Sequence, residues 1–153
     1  MFASNHALSG ALIGLIVVNP LVALPLAFVS HFVLDAIPHY GRTDDAAWLK
    51  NPCFHRLLIG EFLVCVGIVL LLFITQPANW QLASICAFLA TSPDLFWMKK
   101  FIRGNKQSAS PTKKEHWFLQ FHAFVQWYEK PNGLYIELPI FVLLMALFGY
   151  KIF

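Results

Sequence analysis

The sequence predicts an all-α polytopic membrane protein: one domain over residues 1–153, with about five transmembrane helices and one amphipathic or short helix. Three observations support this prediction. Of the 153 residues, 58% are hydrophobic and 12% are charged, whereas an ordinary soluble domain is about 45–50% apolar and about 25% charged. The mean hydropathy is +0.62. The length is sufficient for five or six spans of about 20 residues each.

The N-terminal segment is expected to be a retained helix. An apolar run follows Met1 directly, without the basic region or the small-residue cleavage site of a signal peptide. The cysteines at positions 53, 65 and 86 are scattered and show no CxxC spacing. They are therefore expected to be buried apolar thiols, not a disulfide framework or a thiolate metal site.

The first helix is predicted over residues 6–18. Asn5 is a suitable N-cap residue, and Pro20, after Asn19, should end the segment because proline breaks the helical hydrogen-bond pattern. Gly10 and Gly14 lie four residues apart and form a small-residue face. A neighbouring helix is expected to pack closely against that face.

The second helix, predicted over residues 21–40, carries the most informative polar side chains. His31, Asp35 and His39 are spaced by four residues, which on a helix places them in one slanted stripe. Pro38 should kink or end the helix and turn His39 away from the other two. In a soluble core, a His–Asp hydrogen bond would be a sufficient explanation. In a membrane segment such a cluster indicates a functional site, because unpartnered polar groups are costly there.

The remaining helices are predicted where apolar runs alternate with polar loops. They cover residues 56–75, 80–102 with an interruption at 91–94, 115–128 and 134–150. The segment 115–128 is amphipathic and about 22 Å long, which is too short to span a bilayer comfortably. We expect it to lie in the interface or to pack across the mouth of the bundle.

Basic residues predict the orientation. The turns at 19–20 and 76–79 carry no charge and should lie outside, whereas the loops at 41–56 and 99–114 carry arginine and lysine and should lie inside. The N-terminus is then cytoplasmic, in a protein expected to be integral to a bacterial inner membrane. On this topology the histidines and nearly all membrane-region acids fall in the cytoplasmic half, although they come from five different elements.

Imidazole and carboxylate are ligands for borderline divalent metals, so the constellation predicts a metal site with zinc as the expected ion and manganese as the alternative. The candidate ligands are His6, His31, Asp35, His39, His55, Asp94 and His122. Five or more ligands would be enough for two ions bridged by a carboxylate. Asp94 and Glu61 are the candidate catalytic acids, since an uncoordinated carboxylate can serve as a general base.

A metal held by these residues predicts hydrolysis of an ester or phosphoester at the cytoplasmic membrane face. The expected partner is a membrane lipid or a lipid-linked substrate, and no nucleic acid is expected. Two alternatives remain open. The buried His and Asp could form a proton- or metal-ion-coupled transporter, or they could hold a structural metal in a non-catalytic scaffold.

Three features of the chain resemble the predicted membrane-bound metal-dependent hydrolases of the YdjM-like group. They are His6 before a small-residue helix, the block Ser30-His31-x-x-x-Asp35, and the dipeptide Pro93-Asp94 at a helix end. The resemblance implies a helical membrane protein, a divalent metal held by His and Asp, and hydrolysis of an ester or phosphoester that could belong to a lipid.

Overall fold

Six α-helices make up most of the described chain, which comprises residues 1–41, 51–95 and 113–153 of a computed structural model, without the side chains of 113–116, 119 and 123. The helices are α1 (Ala3–Ile16), α2 (Pro20–Asp35), α3 (Pro52–Thr75), α4 (Trp80–Thr91), α5 (Lys113–Val125) and α6 (Leu134–Ile152). A 3-10 turn at Pro131–Gly133 precedes α6. Within these ranges the only β-type pairing is an isolated bridge between His39 and Glu129. The prediction of an all-helical chain is confirmed.

Two helices in the described ranges are long and apolar enough to cross a membrane: Pro52–Thr75 and Pro131–Ile152. This is fewer than the predicted five. The helices α1, α2 and α4 contain 14, 16 and 12 residues, so each rises about 24 Å or less, short of the about 30 Å of a hydrocarbon core. The chain leaves α1 at Val17, shortly before Pro20 begins α2, and it leaves α4 at Ser92, in the turn that contains Pro93.

Helix α1 lies at the centre of the bundle, and α2, α3, α4 and α6 all pack against it. Its closest approach is to α4. A Cβ atom added at Gly10 would overlap the carbonyl oxygen of Cys86, and one added at Gly14 would overlap the backbone of Ala83. The absence of side chains at both glycines therefore permits the close contact, and the predicted small-residue face is confirmed.

The start of α1 differs from the prediction. The helix begins at Ala3, and Asn5 is buried inside it instead of capping it. Carboxylates from other helices accept the hydrogen bonds of its first amides: Ser4 N donates to Glu61 Oε2 at 2.9 Å, and Phe2 N donates to Glu137 Oε1. The N-terminal amides of a helix need such acceptors, and here α3 and α6 provide them, so no local cap is required.

Other boundaries shift by a few residues. Helix α2 ends at Asp35, before Pro38, so His39 leaves the helical stripe as expected. Helix α3 begins at Pro52, four residues earlier than predicted, because Asn51 accepts a hydrogen bond from Cys53 N at 2.8 Å. Most of the predicted loops at 41–56 and 99–114, and the predicted continuation of the fourth helix to residue 102, lie outside the described residues.

Candidate metal centre

Four side chains from three parts of the chain converge at one end of the bundle. His31 and Asp35 lie one turn apart at the end of α2, Asp94 follows α4, and His122 lies on α5. Their candidate ligand atoms all lie within 4.8 Å of one another. The structure therefore brings together four of the seven predicted ligands.

Three of these ligand atoms are spaced as the ligands of one ion would be. Asp35 Oδ2 lies 3.2 Å from His31 Nε2 and 3.3 Å from His122 Nε2, and the two imidazole nitrogens are 3.0 Å apart. Two atoms that each lie about 2.0–2.1 Å from a tetrahedral zinc ion are about 3.3 Å apart. The triangle of atoms thus matches one face of a tetrahedral zinc site.

Asp94 is placed differently from the other three. Its Oδ1 lies 3.8 Å from His31 Nε2 and 3.9 Å from His122 Nε2, which is longer than the edge of a tetrahedral zinc site. The side chains of His31, Asp35 and His122 are fully buried, whereas that of Asp94 is 32% exposed. Asp94 is therefore the one partly exposed side chain of the four.

Hydrogen bonds orient the ligands from outside the centre. His31 Nδ1 lies 2.9 Å from the carbonyl oxygen of Ala90. A carbonyl can only accept, so Nδ1 donates to it, and Nε2 is the ring nitrogen that faces Asp35. Gln126 donates from Nε2 to Asp35 Oδ2 at 3.2 Å. Gln126 is not among the predicted site residues, although its position four residues after His122 could have indicated it.

His6 lies beside the four residues. Its ring stacks on that of His31 with centroids 4.1 Å apart, and its Nε2 is 3.2 Å from Asp35 Oδ1, the carboxylate oxygen that faces away from the triangle. The α-amino nitrogen of Met1 is 2.7 Å from the same oxygen. Asp35 thus contacts two imidazoles through one oxygen and a third imidazole through the other.

His39 is buried but lies outside the four-residue group. Its Nδ1 is 2.8 Å from the carbonyl oxygen of Ile37, and its own carbonyl accepts a hydrogen bond from Lys130 N at 3.1 Å. Burial lowers the pKa of the His39 imidazole and raises the pKa of the Glu129 carboxyl opposite it. Because α2 ends before Pro38, His39 holds the segment after α2 against the segment before α6.

The structure does not bring His55 or Glu61 into the four-residue group. His55 lies in the first turn of α3 and is exposed. Glu61 accepts the hydrogen bond of Ser4 N at the start of α1. Glu137 is fully buried and accepts hydrogen bonds from Phe2 N and Tyr40 N. The carboxylates of α3 and α6 therefore face helix and loop amides.

The composition of the group favours a cation. Two carboxylates lie against two imidazoles in a largely buried position, and within the described ranges the α-amino group of Met1 is the one cation other than histidine that pairs with either acid. Burial of such charge is costly unless it is compensated. A divalent ion bound by imidazole nitrogen and carboxylate oxygen would supply that compensation.

Comparison with known proteins adds no relative. No protein-family model, curated protein or solved structure matches the chain. The resemblance to the YdjM-like hydrolases accordingly stays a prediction.

Proposed function

We propose that this chain is a metal-dependent membrane hydrolase that acts on an ester or phosphoester of a lipid or lipid-linked substrate at the cytoplasmic face of a bacterial inner membrane. One observation carries the proposal: the convergence of His31, Asp35, Asp94 and His122 from distant parts of the chain, with ligand atoms within 4.8 Å of one another. Zinc suits this donor set, and manganese is the alternative.

The exposed apolar surface supports a membrane location. Only 11% of the apolar window in Pro52–Thr75 and 17% of that in Pro131–Ile152 is buried, whereas the core helix of a soluble protein would be mostly buried. Helix α2 also exposes a row of large apolar side chains, among them Leu21, Val29 and Val33. Continuous apolar surface of this extent is unsuited to water. In this proposal the shorter helices lie in the bilayer beside the two long ones.

The unequal placement of the four residues suggests a division of roles. His31, Asp35 and His122 would hold the ion, and the accessible side next to Asp94 would admit water and substrate. Three protein ligands with one open position are typical of catalytic zinc sites. Bound there, the ion would supply Lewis-acid activation of water and of the scissile group. Asp94 would accept the proton from the attacking water.

A structural ion is the competing function. The same convergence joins α2, the end of α4 and α5, so four protein ligands could close the coordination shell. The longer separations and the partial exposure of Asp94 favour catalysis instead. The two functions predict different effects of removing the Asp94 charge on metal retention and on hydrolysis.

The first experiment measures metal content. We expect the full chain, purified in detergent, to contain stoichiometric zinc or manganese by elemental analysis. His31→Ala and Asp35→Ala should lose it, because each removes an atom of the ligand triangle. His55→Ala is the matched control, since His55 is an exposed histidine outside the group. Gel filtration should show that each variant is folded and monodisperse.

Two outcomes would contradict this proposal. The first is wild-type protein without stoichiometric metal, which would exclude the metal site. The second is wild-type protein that holds metal but hydrolyses no probe.

The variant Asp94→Asn tests the proposed general base. It should retain at least one ion but lose hydrolysis of phosphomonoester and lipid-ester probes by about 100-fold or more, the usual contribution of a general base. If wild-type protein holds metal and turns over no such probe, while chelation unfolds it, the ion is structural.

A further inference from the structure

The second oxygen of Asp35 is the starting point of a further inference. Oδ2 faces His31 and His122, whereas Oδ1 faces His6 Nε2 at 3.2 Å. The stacked rings of His6 and His31, with centroids 4.1 Å apart, bring two imidazoles to one carboxylate from neighbouring positions. Asp35 therefore has the arrangement of a carboxylate that bridges two cations.

His6 itself lacks an adequate partner. Its side chain is fully buried, its Nδ1 has no hydrogen-bond partner among the described residues, and its Nε2 has only the 3.2 Å approach to Asp35 Oδ1, an oxygen that also pairs with the amine of Met1. The adjacent Asn5 is also fully buried, with both side-chain polar atoms unpaired within the same ranges. Buried polar groups are rarely left in this state, and each unsatisfied one costs free energy. A ligand at the start of α1 would satisfy the imidazole.

The donor atoms at this position also suit a cation. The α-amino group of Met1 lies 2.7 Å from Asp35 Oδ1, so a second ion would have to displace this amine from the carboxylate oxygen. The pair formed by His6 Nε2 and Asp35 Oδ1, a nitrogen and an oxygen, is a suitable partial ligand set for zinc or manganese. Water or a substrate oxygen would complete the shell.

We propose that His6 and Asp35 Oδ1 bind a second divalent cation, so that Asp35 bridges a two-metal centre. This inference depends on the proposed function, because the first ion is the one held by His31, Asp35 and His122. Two-metal sites with ions about 3.5–4 Å apart are suited to phosphoryl transfer, since they stabilise both the attacking and the leaving oxygen. The substrate class is thereby narrowed from esters in general to phosphoesters.

The test loads the full purified chain with Mn²⁺ and combines metal stoichiometry with electron paramagnetic resonance. Wild-type protein should bind two ions, with the spectrum of an exchange-coupled pair. His6→Ala should bind one ion, with the spectrum of an isolated Mn²⁺. His6→Gln retains a polar side chain and should behave in the same way if His6→Ala folds poorly. His55→Ala is the histidine control and should retain the coupled pair.

The outcomes separate the two proposals. Wild-type protein with no ion would overturn the proposed function and the second site together. One ion in the wild type would leave the proposed function standing and overturn only the second site, with the amine of Met1 as the partner of Oδ1. Two ions in folded His6→Ala, or none, would overturn the assignment of His6 to a separate second ion.

Discussion

At the scale of single residues, the sequence was sufficient to predict that the side chains of His31 and Asp35 lie together, because residues four apart on a helix are neighbours on one face. Asp94 and His122 could be assigned to the same membrane face only through the orientation of the helices. Their contact with His31 depends on the tertiary packing, which no local pattern contains. Gln126 was missed for the same reason: its partner, Asp35, is 91 residues away.

Gln126 gives a prediction about metal affinity. Gln126→Ala removes the hydrogen bond to Asp35 Oδ2, and the loss of such an outer partner lowers metal affinity by about 10- to 100-fold. Competition with a fluorescent zinc chelator measures the change. Gln81→Ala is the control, since Gln81 is an exposed glutamine in α4. Equal affinities in the two variants would show that Gln126 does not orient the carboxylate.

At the scale of elements, the close contact between α1 and α4 could be predicted from Gly10 and Gly14, because small residues spaced by four are sufficient to define a packing face. The start of α1 could not be predicted. Asn5 has the chemistry of an N-cap, but Glu61 and Glu137 of other helices supply the acceptors. These carboxylates cap α1 from other helices and override the local preference of Asn5. Because both are distant from Asn5 in the sequence, the residues around Asn5 do not predict this cap.

The contact between α1 and α4 predicts the effect of one added methyl group. Gly10→Ala would place a Cβ atom against the carbonyl oxygen of Cys86, and such overpacking costs about 1–3 kcal/mol. Gly67→Ala is the matched control, because nothing lies within 4 Å of its added Cβ atom and alanine is the better helix former by about 1 kcal/mol. Thermal unfolding in detergent should therefore occur at a lower temperature for Gly10→Ala than for Gly67→Ala. The opposite order would contradict the close packing.

At the scale of the whole molecule, composition predicted the all-helical class correctly but not the number of long helices. Hydropathy averages over a window, so it does not register that Pro20 and Pro93 lie beside early helix ends. The predicted gathering of polar groups is better supported: His6, His31, Asp35, Asp94 and His122 lie at one end of the bundle. The membrane face to which that end belongs stays a prediction.

Cysteine labelling tests that orientation. Cys53, at the start of α3, is exposed, so the prediction of a buried thiol is wrong there; its position is predicted to be cytoplasmic. Ala78, in the turn before α4, is exposed and predicted to be external. With the other cysteines replaced by alanine, a membrane-impermeant maleimide should label Ala78→Cys in intact cells and Cys53 only after permeabilisation. Labelling of Cys53 in intact cells would reverse the topology. Labelling of both would exclude a stable insertion of α3.

The position of His122 has a consequence for biosynthesis. Helix α2, with His31 and Asp35, is complete by residue 35, whereas the third member of the ligand triangle lies on α5, which packs against α2. A ribosome-bound chain therefore exposes an imidazole and a carboxylate long before the residue that completes the triangle has been translated. The proposed three-ligand metal site therefore requires most of the polypeptide, so chains truncated before residue 122 should not bind the proposed ion tightly.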